Sequence, residues 1–256
     1  MNSLLSNLRL SIVRMIKSGG EGHIPSSFSI VDLIYGVYKF GMRKSGNAWI
    51  DKFVLSKGHG AAALYVVLAE LNIISKKYLQ DYGKPGSLLG GHPDRSKIPG
   101  VEANTGSLGH GMPYAVGLAL GAKILEKDER IFCLVGDGEC QEGTIWESAN
   151  IASNNFLGNL VVLVDWNGSA VQLQPIENMK SKWEAFGWEI YECEGNSLTS
   201  IEKIFSQINY DSDKPKVILA RTIKGFGVSF LQGHGIWHHK IPNDDEMRII
   251  EMELKS

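Results

Sequence analysis

Five short β-rich runs, each nearly all apolar, alternate along the chain with stretches of helical periodicity, and that alternation leaves few folds open. The runs are "FVLS" (53–56), "IFCLV" (131–135), "LVVLVD" (160–165), "WEIYEC" (188–193) and "KVILART" (216–222). Helical patterns fall at about 2–18, 27–40, 60–72, 109–126, 141–154 and 198–208. A strand that is apolar on both faces must be covered on both faces. The pattern therefore predicts an α/β fold, a parallel sheet with helices on either side. A hydrophobic share of 43% supplies a substantial core. The length of 256 residues fits one large domain or two small ones and does not choose between them. No internal repeat or low-complexity linker interrupts the chain.

The charge balance argues against one class of partner. The net charge is −2 and no lysine or arginine run is present, so there is no basic field for nucleic acid. The cysteines Cys133, Cys140 and Cys193 form neither a CxxC pair nor a zinc spacing; Cys133 and Cys193 lie in strand-like runs and read as buried thiols, Cys140 sits beside the Gly-Asp-Gly turn with nothing to activate it, and a reducing compartment fits. The first helix pattern is amphipathic, with Arg9, Arg14 and Lys17 breaking its apolar stripe, unlike a secretory signal. No apolar run approaches the roughly 18 residues of a membrane span. A cytoplasmic location is expected.

Chemistry concentrates in two places. Residues 83–111 are rich in glycine, hold His92 and His110, and show little periodicity. A loop of that length in a compact domain is usually functional or disordered, and this one, ending at a helix start, reads as functional. The second place is "VGDGECQEGTIWE", where Asp137 sits between Gly136 and Gly138 as an apolar strand runs out. In open parallel sheets ligands bind where strands end and helices begin. The two glycines let the backbone turn and approach a ligand, and the helix that follows, from about Glu142, favours an anion at its N-terminus. The next strand, "NLVVLVDWNG", ends at Asn167, thirty residues after Asp137. Adjacent strand ends would bring the two side chains together. A carboxylate, an amide oxygen and a backbone carbonyl suit Mg²⁺ or Ca²⁺, with phosphate oxygens completing the shell. A bare Gly-Asp-Gly is common in turns; its meaning comes from the strand, the helix and the Asn-Gly pair around it.

Six ordered blocks carry a family resemblance: "GGEGHIPSSFS", "DKFVLSKGHGAAALYVVLAE", "GGHPDRSKIPGVEANTGSLGHG", "GDGECQEGTIWESANIASNN", "DWNG" and "TIKGFGVSFLQGHGIWHHKIPNDDE". Together they resemble the N-terminal, diphosphate-binding part of transketolase from about Gly20 to Asp245. The resemblance implies a single thiamin diphosphate-binding domain over 1–256. It assigns the metal to Asp137, Asn167 and the carbonyl of Ser169. Gly138 and Asn167 would contact the diphosphate and Gly106, Ser107 and Leu108 the cofactor's rings, with Gly136 and Glu139 also in the cofactor-binding set and Glu142 at a subunit interface nearby. His59 and His238 would reach the diphosphate and the reacting centre, and His23 and His92 would line the substrate channel, with His238 also facing the sugar. The implied cofactors are thiamin diphosphate with Mg²⁺ or Ca²⁺, and the implied reaction is transfer of a two-carbon ketol unit from a ketose or its phosphate to an aldose. The thiazolium serves as electron sink, which leaves the protein to position groups and stabilise charge, and imidazoles suit proton transfer near neutral pH.

The resemblance also implies a second, pyrimidine-binding domain, which is expected on another chain. The expectation is a split enzyme, with a separate C-terminal subunit completing the site and two of each chain in the assembly. Other readings stay open at this point: a relative of 1-deoxyxylulose-5-phosphate synthase, a non-catalytic scaffold or regulatory subunit, and an unrelated magnesium-dependent phosphotransferase. A solitary His beside Gly usually caps a turn, and His110, His234 and His239 are read that way. Lys57 and Lys224 read either as site residues or as ordinary surface lysines. Trp146, Trp183 and Trp188 read as packing.

Overall fold

The computed structural model describes residues 3–168, 178–233 and 235–255. The five apolar runs become one parallel sheet: β3 (Lys52–Leu55), β4 (Ile131–Gly136), β5 (Leu160–Trp166), β6 (Glu189–Glu194) and β7 (Lys216–Arg221), in the order β3-β4-β5-β7-β6. Ahead of it, β1 (Lys44–Ser45) and β2 (Ala48–Trp49) form a short antiparallel hairpin.

Side chains alternate across the sheet, as the pleat requires. Phe53, Leu55, Phe132, Leu134, Val161 and Leu163 join the core built by helices α1 (Ser3–Gly19), α2 (Ile24–Gly36) and α3 (Ala61–Glu70). Val54, Ile131, Cys133, Val135, Val162 and Val164 enter the core of α4 (Gly111–Ile124), α5 (Gly143–Asn154) and α6 (Met179–Ala185). The remaining helices, α7 (Leu198–Gln207) and α8 (Asp244–Lys255), pack on the first of these faces. The architecture is therefore three layers with the sheet in the middle. Trp183 and Trp188 are buried in the second core beside Trp146, as packing residues. No described helix is long and apolar enough to cross a membrane.

Several local outcomes differ from the sequence reading. The pattern at 27–40 starts earlier, at Ile24 after an N-cap at His23, and gives way to a π-helical turn over Val37–Gly41. α6 and α8 were not expected. α6 is only seven residues long, and α8 buries only Ile250 and Leu254 among charges. Arg9 does not interrupt the buried stripe of α1 but lies within it, fully buried, ion-paired to Asp32 of α2 and donating to the carbonyls of Phe28 (3.3 Å) and Phe226 (3.1 Å). It ties α1, α2 and the segment after β7 together.

The segment 83–110 is a packed loop. Leu89, Ile98 and Val101 are buried in the first core. The Tyr65 hydroxyl lies 3.0 Å from the Gly90 carbonyl and 2.9 Å from that of His92, its one hydrogen shared between them, and Thr105 donates to the carbonyl of Leu55 (2.7 Å). Two glycines permit the close approach that seats it on the sheet edge. A Cβ at Gly58 would lie 2.8 Å from the Gly106 nitrogen, and one at Gly111 2.5 Å from the Ser56 Cα.

Candidate active site

The carboxyl edge of the sheet gathers the turns after β3, β4, β5 and β7. Gly136 and Asp165 are register partners on adjacent strands, and the Asp137 nitrogen donates to the Asp165 carbonyl at 3.1 Å. The Asp137 carboxylate accepts from the Gly138 nitrogen at 2.7 Å and from the backbone of Gly168, which joins the two strand tips. Asp137 is 4% exposed. Burial, and next the neighbouring Asp165 carboxylate, raise its pKa. An anion made costly in this way gains from a bound cation, and the oxygen donors fit a hard divalent ion. Asn167 donates from Nδ2 to Asp165 Oδ2 at 2.8 Å, which turns its amide oxygen away from Asp165. Ser169 lies outside the described residues, as do His234 and the segment that follows Ser169 to position 177.

Asp165 organises this edge, and the sequence reading overlooked it. It is fully buried at the end of β5 and accepts from Ser29 of α2 (2.9 Å), Asn167, Thr222 after β7, and Lys57, with which it forms an ion pair. Its signal in the sequence was an acidic residue closing an otherwise apolar strand two positions before Asn167. Lys57 and Lys224 are both buried, so neither is an ordinary surface lysine. Burial, then Lys57, lowers the Lys224 pKa.

Glu139 faces inward. It is 2% exposed, and its carboxylate accepts from Ser56, the Gly109 nitrogen (3.0 Å) and the Gly136 nitrogen (3.1 Å). It joins the tip of β3, the loop before α4 and the tip of β4, so both it and the Gly136 N–H are engaged within the protein. Burial raises its pKa. Glu142 is exposed as the N-cap of α5 and packs beside Gly109, and Thr144 donates to the Gly109 carbonyl at 2.9 Å. Gly106 and Leu108 are partly buried and Ser107 is exposed. A Cβ on Gly106 would meet the His92 ring at 2.9 Å. Cys140 is buried beside this turn, and burial pushes its thiol well above the ordinary range.

The histidines converge. Ring centroids of His23 and His59 are 5.1 Å apart, His23 and His238 4.9 Å, His59 and His92 6.1 Å, and His59 and His238 6.4 Å. His239, read from the sequence as a turn residue, lies 4.1 Å from His23. His110 stays exposed at the start of α4, with Nδ1 2.9 Å from the Leu108 carbonyl. Lys224 links the groups, its Nζ 3.5 Å from His238 Nδ1.

Burial, with its histidine neighbours next, lowers the His23 pKa to about 3, and burial followed by Lys57 lowers that of His59 to about 4. In the unfolded chain histidine titrates near 6.5. Between these values the unfolded chain takes up protons that the folded chain refuses, so stability falls as pH drops below about 6.5. The urea midpoint should fall through this window. His23→Gln should flatten the fall, and equal slopes in both proteins would count against a buried neutral His23.

The family described as "Transketolase, thiamine diphosphate binding domain" matches residues 1–254. The chain is 39% identical to an apulose-4-phosphate transketolase subunit of Actinobacillus succinogenes, over 96% of this chain and 92% of that protein. It is 35% identical to 6-deoxy-6-sulfo-D-fructose transketolase subunit SqwG of a Clostridium species, over 92% of this chain and 89% of that one. The crystal structure of transketolase from Campylobacter jejuni superposes with a TM-score of 0.88 at 28% identity, covering all of this chain and 43% of that chain. The chain thus spans nearly all of the two transketolase subunits and less than half of that solved transketolase.

Proposed function

The chain belongs to the transketolase family through its thiamine diphosphate-binding domain, and on that premise we propose that it is the diphosphate-binding subunit of a two-chain transketolase. It is a transferase that moves a two-carbon ketol unit from a ketose to an aldose. The observation that carries this reading is the joining of Asp137 to the Asn167–Gly168 turn at the sheet edge, with His23, His59, His92 and His238 clustered along the same edge.

When bound, thiamin diphosphate with its divalent ion supplies the carbanion and electron sink for carbon–carbon cleavage. Asp137 and Asn167 would hold Mg²⁺ or Ca²⁺ through their side-chain oxygens, and the carbonyl of Ser169, which lies outside the described residues, is the further ligand that the family resemblance implies. Asp165 orients Asn167 through its amide N–H, the kind of outer partner that fixes a ligand. Gly136, Gly138 and the loop at Gly106, Ser107 and Leu108 give the cofactor close access to the backbone. Glu139 braces that loop against the metal turn. His59 and His238 serve the diphosphate and the reacting carbons, and His23 and His92 line the sugar path. Rings kept neutral by burial each offer one nitrogen as donor and the other as acceptor to sugar hydroxyls. The names of the relatives favour a donor with an anionic tail, since one carries a phosphate and the other a sulfo group.

That both relatives are named as subunits also supports a separate partner chain, which would bring the pyrimidine-binding domain and most anion-binding groups. Residues 1–256 form a single unit, and its three buried thiols suit the cytoplasm. Two copies of each chain are favoured by the outer side of α4. That helix is apolar except for Tyr114 and Lys123, yet Gly117 is exposed and Ile124 and its neighbour Leu125 are 70% and 65% exposed. Such a surface suits an interface that also includes Glu142. Ile124→Asp combined with Leu125→Asp should lower the mass of the assembled enzyme in light scattering while leaving the circular dichroism of the chain unchanged.

The deciding experiment is co-purification with the partner chain and a donor panel that includes ketose phosphates and pyruvate. The pair should transfer two-carbon units from a ketose, and the chain alone should be inactive and bind cofactor weakly. Transfer by the chain alone would overturn the two-chain reading. Preference for pyruvate would move the enzyme to the synthase class.

A further inference from the structure

The segment after β7 sets two adjacent histidines, His238 and His239, against the buried His23. The ring centroids of His239 and His238 lie 4.1 and 4.9 Å from that of His23, and 4.8 Å from each other. One nitrogen from each ring lies within 4.8 Å of the other two. His23 Nδ1 is 3.1 Å from the His238 carbonyl oxygen. A carbonyl only accepts, so Nδ1 carries the hydrogen and Nε2 keeps its lone pair, the arrangement that metal-binding histidines adopt. We propose that His23, His238 and His239 form a binding site for a borderline transition-metal dication, Zn²⁺ foremost, with the fourth position open to water or a sugar hydroxyl.

The site differs in kind from the oxygen-rich metal site at Asp137. Three imidazoles select Zn²⁺ or its neighbours over Mg²⁺ and Ca²⁺. Tetrahedral Zn–N bonds place the nitrogens about 3.4 Å apart, so the rings must close by little more than 1 Å. His238 and His239 are exposed, and small rotations suffice. Burial keeps His23 neutral, so protons do not compete for it at neutral pH. One opposing charge, Lys224, lies with its Nζ 3.5 Å from His238 Nδ1. Burial, then Lys57, already disfavours its charged form, which lessens the repulsion that an arriving dication meets.

If His23 and His238 line the sugar path, as the proposed function holds, an ion at this site closes that path and inhibits transfer. The test separates the two ideas. Titration calorimetry of the full chain with zinc chloride should show one site, and Co²⁺ should give the visible bands of a tetrahedral nitrogen site. His239→Ala, a residue given no part in ketol transfer, should weaken Zn²⁺ binding by about tenfold or more. It should leave the rate of the assembled enzyme in zinc-free buffer unchanged and raise the Zn²⁺ concentration needed for half inhibition. Equal Zn²⁺ affinity in wild type and His239→Ala, both folded by thermal melt, would overturn the site. Zinc binding without inhibition would uphold the site and count against the sugar path at His23.

Discussion

Asp137→Asn should weaken divalent-ion binding by the assembled enzyme by more than about 100-fold, because losing even an outer partner of a metal ligand commonly costs 10–100-fold. Thiamin diphosphate binding and ketol transfer should fall with it. The substitution keeps the shape and removes the charge. Burial and Asp165 disfavour the charged form of Asp137, so removing that charge should leave the metal-free chain as stable as wild type or slightly more so. That opposite response distinguishes a ligand from a structural residue. Calorimetric titration of Mg²⁺ in the presence of cofactor measures the first effect and a thermal melt the second. Unchanged metal affinity would take Asp137 out of the ligand set.

Asp165→Ala should give the largest loss of stability. It leaves the Lys57 ammonium buried without its carboxylate and strips partners from Ser29, Thr222 and Asn167. Breaking a buried pair from one side costs about 3–5 kcal/mol, and at about 2–4 °C per kcal/mol for a chain of this size the melting temperature should fall by roughly 6–20 °C. Asp165→Leu combined with Lys57→Met should recover much of that loss, since an apolar pair of similar volume removes the stranded charge. The double variant should still bind metal poorly, because Asn167 has lost the group that orients it. A single Asp165→Ala variant that melts within a degree or two of wild type would show that the pair contributes little.

The sheet was legible because buried parallel strands leave an unusual mark, runs apolar on both faces, and all five strands were located within a residue or two, even β6 at the sheet edge, which buries only Cys193. The strand tips were legible for the same reason, since Gly-Asp-Gly and Asn-Gly each follow such a run. What sequence could not show was pairing at a distance. Arg9 looked like a solvated break in α1 until Asp32 was found opposite it. Asp165 looked like the last residue of a strand, and its four partners come from α2, the turn after β3, the tip of β5 and the segment after β7. His239 sat in a short polar stretch with no periodicity, and only the return of that segment toward His23 reveals it. α8 escaped notice because two buried side chains in twelve residues make a weak apolar stripe.

The carboxylate of Glu139 has a consequence for kinetics. Because one side chain locks the turn bearing Asp137 to the loop at Gly109 and to the tip of β3, these pieces form a preorganised cradle whose ordering entropy was surrendered during folding. Coenzyme capture should then be limited by encounter and by docking of the second subunit, with no slow phase from loop rearrangement.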